Sequence, residues 1–315
     1  MENVVSVVAP VFALIAIGYL AGRLNWISDV GAKGLAEFTF NLAIPAMLFR
    51  KMATAELPDV TPYALWGAYY GTTLVIWLMA TVATVVFLRR TTAEASSIAM
   101  SASFSNVVMI GIPLSLNLYG EAAAAPIAIL VSLHSPLLWA MASIHVALSA
   151  GDRKLSVFTI GRDLVAELSR NFIVLSIIAG TLWRMSGLGF DPLADEVVTL
   201  IGRAGIPCAL ISLGLSLLGF RIAGQVPTLT TVLVLKILVM PVIAWAVAIH
   251  VFALPPVAAG VVTIFAAMPT GANAYLFASR NNLAPHSASG AVALGTCLSA
   301  VTAAFVIYTL KTSAL

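Results

Sequence analysis

The residues best suited to chemistry lie in two apolar segments where small polar side chains stand beside proline. In SSIAMSASFSNVVMIGIPLSLNLY (96–119), Ser105 and Asn106 are followed by Gly111 and Pro113; in segment 255–280, AAMPTGANAYLFA sets Pro269, Thr270, Gly271 and Asn273 close together. Proline removes an amide donor and frees a carbonyl one turn back, so each segment is expected to break as a helix. The second half of a broken helix presents free amides and a partial positive charge that suit an anion. Two such breaks brought together would cross, lined by Asn106, Thr270, Asn273 and free backbone groups able to hold a carboxylate. The alternative is that the prolines only kink their helices while each asparagine bonds to a neighbour.

Ionisable groups inside apolar runs are the next candidates, because burying them in a membrane is costly without a function. Lys236 sits in the middle of TVLVLKILVMP, where its charge could balance a substrate anion or its donors could satisfy backbone carbonyls freed by a broken helix. Arg203, four residues before Pro207, can snorkel toward an interface. Glu37 shares a helical face with Asn41 and Pro45 but stands close to the end of its run. His134, His145 and His250 read as packing residues more readily than as proton relays. Signatures of catalysis are missing from the sequence: no HExxH, GxSxG or P-loop, and no Cys/His cluster at metal spacing. Cys208 and Cys297 fit neither a zinc site nor a disulfide framework. No enzymatic activity, cofactor, metal or nucleic-acid partner is expected.

The elements that position these residues follow from composition. With 61% hydrophobic and 9% charged residues, the chain cannot hide its apolar surface in a water-soluble globule, where about 25% charged is usual. A membrane-crossing helix needs roughly 20 apolar residues, and the runs are 3–22, 34–50, 61–88, 96–119, 122–148, 169–187, 193–219, 226–251, 255–280 and 284–310. They are continuous, not alternating, which selects helices over a membrane barrel. The opening MENVV carries an acid and no basic region, so the first run reads as a retained helix.

The ten runs describe an all-α polytopic membrane protein made of two five-helix repeats. Pro45 in NLAIPAMLF and Pro207 in RAGIPCALI share an Ile-Pro context 162 residues apart; Arg23 and Arg184 are offset by 161, and Ser105-Asn106 by 164 from Pro269-Thr270. Paired interrupted segments in corresponding halves mark the binding site of a secondary transporter. Pro45, Pro113, Pro207 and Pro269 are accordingly expected to interrupt or bend their helices. Ten basic residues in the odd-to-even connections against four on the other side put those connections in the cytoplasm and both termini outside. An odd number of helices per repeat makes the repeats inverted. The organisation expected is 1–148 as the first repeat, 149–168 as a cytoplasmic linker with a short amphipathic helix, and 169–315 as the second repeat.

NLAIPAMLF, SNVVMIGIPLSLNLYG, GIPCALISLGLSL, Lys236 followed by Pro241, and MPTGANAYLFA together resemble the auxin efflux carrier family, the bacterial relatives of plant PIN-type carriers, over essentially the whole chain. The resemblance implies the bile-acid-symporter-like fold, with helices 1, 2, 6 and 7 as scaffold and helices 3–5 and 8–10 as a mobile domain whose broken helices 4 and 9 cross. It further implies an elevator-type motion, a homodimer formed through the scaffold, and an inner-membrane transporter of small organic anions, auxin- or malonate-like carboxylates. Asn106 and the Pro269-Thr270 break are carried over as crossover residues contacting the carboxylate. Ser105 stands where plant members commonly have proline, and PYALWGAYYGTTLVIWLMATVATVVFL lacks the acid that supports their site. A coupling proton or sodium ion is an open partner; Ser103, Ser105 and Thr270 offer hydroxyls but no carboxylate for sodium. The rival readings are a sodium-coupled bile-acid-type symporter and a non-transporting membrane receptor.

Overall fold

A computed structural model describes residues 4–54, 61–149, 162, 165–166 and 168–312. The linker expected at 149–168 lies almost wholly outside the described residues. The described helices run in order α1 Val4–Arg23, α2 Asp29–Phe38, α3 Ile44–Thr54, α4 Pro62–Val82, α5 Thr92–Ser103, α6 Ile112–Tyr119, α7 Ala124–Ser149, α8 Phe172–Met185, α9 Pro192–Leu217, α10 Val226–Leu233, α11 Met240–Ala246, α12 Pro256–Ala267, α13 Ala272–Asn281 and α14 Pro285–Thr312. Wide π-type turns at Thr39–Ala43, Ala83–Phe87, Val107–Gly111, Val234–Val239 and Val247–Val251 continue or join them. Among the described residues, six helical stretches are long and apolar enough to cross a membrane: Val4–Arg23, Pro62–Phe87, Val107–Ser149, Pro192–Leu217, Val226–Val251 and Pro285–Thr312. Phe172–Met185 and Pro256–Ala267 are shorter apolar helices.

The chain forms two compact units. The first comprises residues 1–59, 108–132 and 166–219. Here α1 packs on α9 through paired glycines: a Cβ on Gly18 would meet the Ile211 carbonyl, and one on Gly214 the Ile15 carbonyl. Small residues let membrane helices approach this closely. Likewise Gly180 of α8 abuts the Phe49 carbonyl, and a Cβ on Gly202 of α9 would lie 3.0 Å from the Met47 Cα. Arg50 clamps Asp195 through two bonds of 2.6 and 2.9 Å. Glu37 is exposed.

The second unit comprises residues 60–107, 133–165 and 220–315. Its α5 begins with a capping box, in which the Thr91 hydroxyl accepts from the Glu94 amide and the Glu94 carboxylate accepts from the Thr91 amide. From Ala95 to Ser103 every residue of α5 is buried, and so is every residue of α12 from Ala258 to Ala267. Both helices are rich in alanine and serine or glycine, which lets neighbours surround them on all sides. Helix ends can then fall deep inside protein, where non-helical backbone is tolerated because protein groups surround it.

Helix interruptions fall at 104–106 and 268–271, whereas none falls at Pro45, Pro113 or Pro207, which corrects the expectation of an interruption there and leaves only that of a bend. Helix α9 continues through Pro207 without interruption. Pro45 and Pro113 are each the second residue of a helix entered through a π-type turn. Each follows the wider turn inside a continuous helical stretch, and a π-type turn is one of the places where a helix accommodates a break in its hydrogen-bond ladder such as the amide that proline lacks.

Candidate functional site

The site begins where α5 and α12 stop. Met268 precedes Pro269 and is held extended (φ −67°, ψ 145°), as the clash with a proline ring requires. Phe104 is extended too (φ −76°, ψ 103°), its amide still donating to the Met100 carbonyl. The two extended pieces run antiparallel and pair at a single bridge, Ser105 opposite Thr270. Asn106 N donates to the Pro269 carbonyl at 2.8 Å, and Gly271 N to the Phe104 carbonyl at 2.9 Å. A Cβ on Gly271 would lie 2.9 Å from the Phe104 ring and 3.4 Å from the Ser105 carbonyl, so glycine lets the two backbones approach.

Helix ends leave carbonyls without intrahelical partners, and here named side chains take them up. Thr270 Oγ1 donates to the Ser101 carbonyl at 2.7 Å. Lys236 Nζ reaches the Ala266 carbonyl at 2.9 Å, Ser105 Oγ at 2.7 Å and Met240 Sδ at 3.0 Å. An ammonium has three donors, so all three are committed to this framework. Lys236 is 0% exposed and lies on the Val234–Val239 π-type turn, a feature frequent at functional sites. Of the two roles the sequence left open for it, the carbonyl-satisfying one has direct contacts. His134 Nε2 lies 3.0 Å from the Ser105 carbonyl; a carbonyl only accepts, so Nε2 carries the proton. Nδ1 then faces the Tyr69 hydroxyl at 3.4 Å.

Two polar groups at the first break are left over. Asn106 is 7% exposed, and its Nδ2, like the Ser103 hydroxyl, is buried without a hydrogen-bond partner. Asn273 is half-exposed, with Nδ2 3.5 Å from Ser135 Oγ. Gly271 caps the start of α13 without a side-chain bond, leaving first-turn amides that could meet an anion.

The structure thus brings Ser105, Asn106, Pro269, Thr270, Gly271 and Lys236 together, with Asn273 at the start of α13. Pro45, Pro113 and Pro207 belong to the first unit. Sequence reasoning did not reach Ser101, Met240 and Tyr69, nor the contact His134 makes. Met240 stands one helical turn from Lys236, a readable signal; nothing local points His134 or Tyr69 at Ser105. Groups of acids, histidines and cysteines fit to hold a metal do not occur among the described residues.

Residues 3–307 match the family described as "Membrane transport protein". Over 318 aligned residues the chain is 24% identical to a Rhizobium meliloti (strain 1021) protein named "Putative malonate transporter", covering 100% of this chain and 98% of that one. It is 23% identical over 308 residues to a Methanothermobacter thermautotrophicus protein named "Uncharacterized transporter", covering 93% and 94%. A third similarity, 29% over 109 residues, is to the mouse "Lysosomal cholesterol signaling protein", 34% of this chain but 13% of that one. With buried apolar helices, paired breaks and a family match that spans nearly its whole length, this multi-pass membrane chain belongs to the membrane transport proteins of the auxin efflux carrier family.

Proposed function

We propose that the chain is a secondary transporter of small organic anions, of the mono- or dicarboxylate class, with its substrate site at the paired breaks. The observation that carries this reading is the buried, unpartnered Asn106 Nδ2 beside two helix ends joined by one bridge. A donor left unsatisfied in a protein interior is costly, and a carboxylate would satisfy it. The first-turn amides at Ala272 and Asn273 add partial positive charge. Lys236 contributes through Ser105 and Ala266, holding the breaks in register. The name of the Rhizobium relative favours a malonate-like substrate. Ten spans in two inverted repeats, 1–148 and 169–315 about a cytoplasmic linker, with both termini outside, complete the topology we propose. So do a homodimer and an elevator motion in which the helices within 1–50 and 169–219 act as scaffold.

The test is uptake of a radiolabelled carboxylate panel, malonate included, into liposomes holding the purified protein. Asn106→Ala should abolish uptake of the transported carboxylate while the protein melts like the parent, since that side chain forms no bond to lose. Undiminished uptake by Asn106→Ala would refute the assignment of the site.

A further inference from the structure

The first unit holds a cavity of about 380 Å³ between α3, the end of α6 and α9. That size is within the range that takes small organic ligands. Three cations line it, Arg50, Lys51 and Arg203, against one lining carboxylate, Glu121. Two of the three are already engaged: Arg50 by Asp195 through both Nε and Nη2, and Lys51 by Glu121 at 2.6 Å. The side chain of Arg203, an exposed residue, has neither an ion pair nor a hydrogen bond among the described residues. One helical turn before it on α9, Thr199 lines the same cavity, and its hydroxyl is buried with no hydrogen-bond partner. Residues four apart share a helix face, so a guanidinium and an idle hydroxyl serve one space. The remaining wall is apolar, with Met47, Leu116 and Ile206. Gly202 also lines it, at a point where α9 comes so near α3 that a Cβ would press on Met47.

We infer that this cavity is a binding site for an oxyanion with a short apolar body, held by Arg203 and Thr199 and separate from the paired breaks. Guanidinium and hydroxyl donors match the lone pairs of a carboxylate or phosphate. A single uncompensated cation fits a single anionic head, and the apolar wall takes a hydrocarbon body. Both a free monocarboxylate and the phosphate of an anionic lipid meet that description. The site stands whether or not the breaks bind substrate, because its residues belong to another unit.

The experiment uses the full chain carrying Asn106→Ala, which removes the donor proposed at the breaks, in nanodiscs of phosphatidylcholine alone. Binding of radiolabelled butyrate is measured by equilibrium dialysis, and melting is compared with and without added phosphatidylglycerol. The site predicts that at least one probe binds, and that Arg203→Gln and Thr199→Val each weaken it, Arg203→Gln by about 10- to 100-fold, as loss of a charge-assisted hydrogen bond implies. Arg203→Lys should restore part of it. Butyrate binding lost in Arg203→Gln identifies a free carboxylate as the occupant; phosphatidylglycerol stabilisation lost instead identifies a lipid headgroup. Neither probe binding, or binding unchanged in variants that melt like the background, overturns the inference.

Discussion

Thr270→Val is the cleanest perturbation of the paired breaks, because valine keeps the shape and deletes only the hydroxyl. Thr270 is fully buried, and Oγ1 gives its proton to the Ser101 carbonyl at 2.7 Å. That carbonyl lies in the last turn of α5, where the chain leaves the helix at Phe104 and no amide one turn on returns to it. Valine therefore orphans a buried acceptor, which costs about 1–3 kcal/mol, or a fall in melting temperature of roughly 2–12 °C. Thr270→Ser makes the opposite change: it keeps the donor and gives up one methyl, worth about 0.8 kcal/mol in transfer. Melting of the full chain in detergent, followed by intrinsic fluorescence, should rank parent, serine and valine in falling order. Uptake should fall with valine and persist with serine. A valine variant as stable as the parent, with a weaker serine variant, would show that Thr270 acts through its methyl and that the Ser101 bond contributes nothing.

Lys236→Met should lower both melting and uptake, since it strips the Ala266 carbonyl and the Ser105 hydroxyl of their donor; combined with Ser105→Ala, a double-mutant cycle on melting should show a coupling of about 0.5–3 kcal/mol. Gly214→Ala forces a Cβ into the Ile15 carbonyl and should destabilise by about 1–3 kcal/mol or more, read as a lower melting temperature. Gly219→Ala, whose Cβ would meet nothing closer than 3.4 Å, should leave the same measurement near the parent. Arg50→Met should cost only about 0.2–1 kcal/mol in the same melts, as expected of an ion pair that is well solvated, its two side chains being 33% and 32% exposed.

How far the site could be read from sequence depends on the range of the forces that build it. The second break was legible because its cause is local: Pro269 forces Met268 out of helical geometry, and Thr270 and Gly271 follow. The first was harder, since no proline stands at Ser105 and Pro113, the nearest, sits harmlessly in the first turn of α6. What pointed to it was the offset to the other half of the chain. Pro45 and Pro207 share the plainest sequence context yet interrupt neither helix: one follows a π-type turn, and the other lies inside a helix that continues to Leu217. The roles of Lys236 and His134 were beyond local reading, as their acceptors lie 131 and 29 residues away. Those contacts change what a substrate can meet. With Lys236 Nζ already bonded to Ser105, Ala266 and Met240, an anion at the breaks would be held by Asn106 and by backbone amides. Such a site would feel Lys236 through distance and geometry more than through direct pairing. Ser105→Ala, which leaves Lys236 in the sequence but removes the hydroxyl that it grips, should therefore raise the KM for the transported carboxylate in liposomes. An unchanged KM would mean that the lysine's position does not matter to the anion.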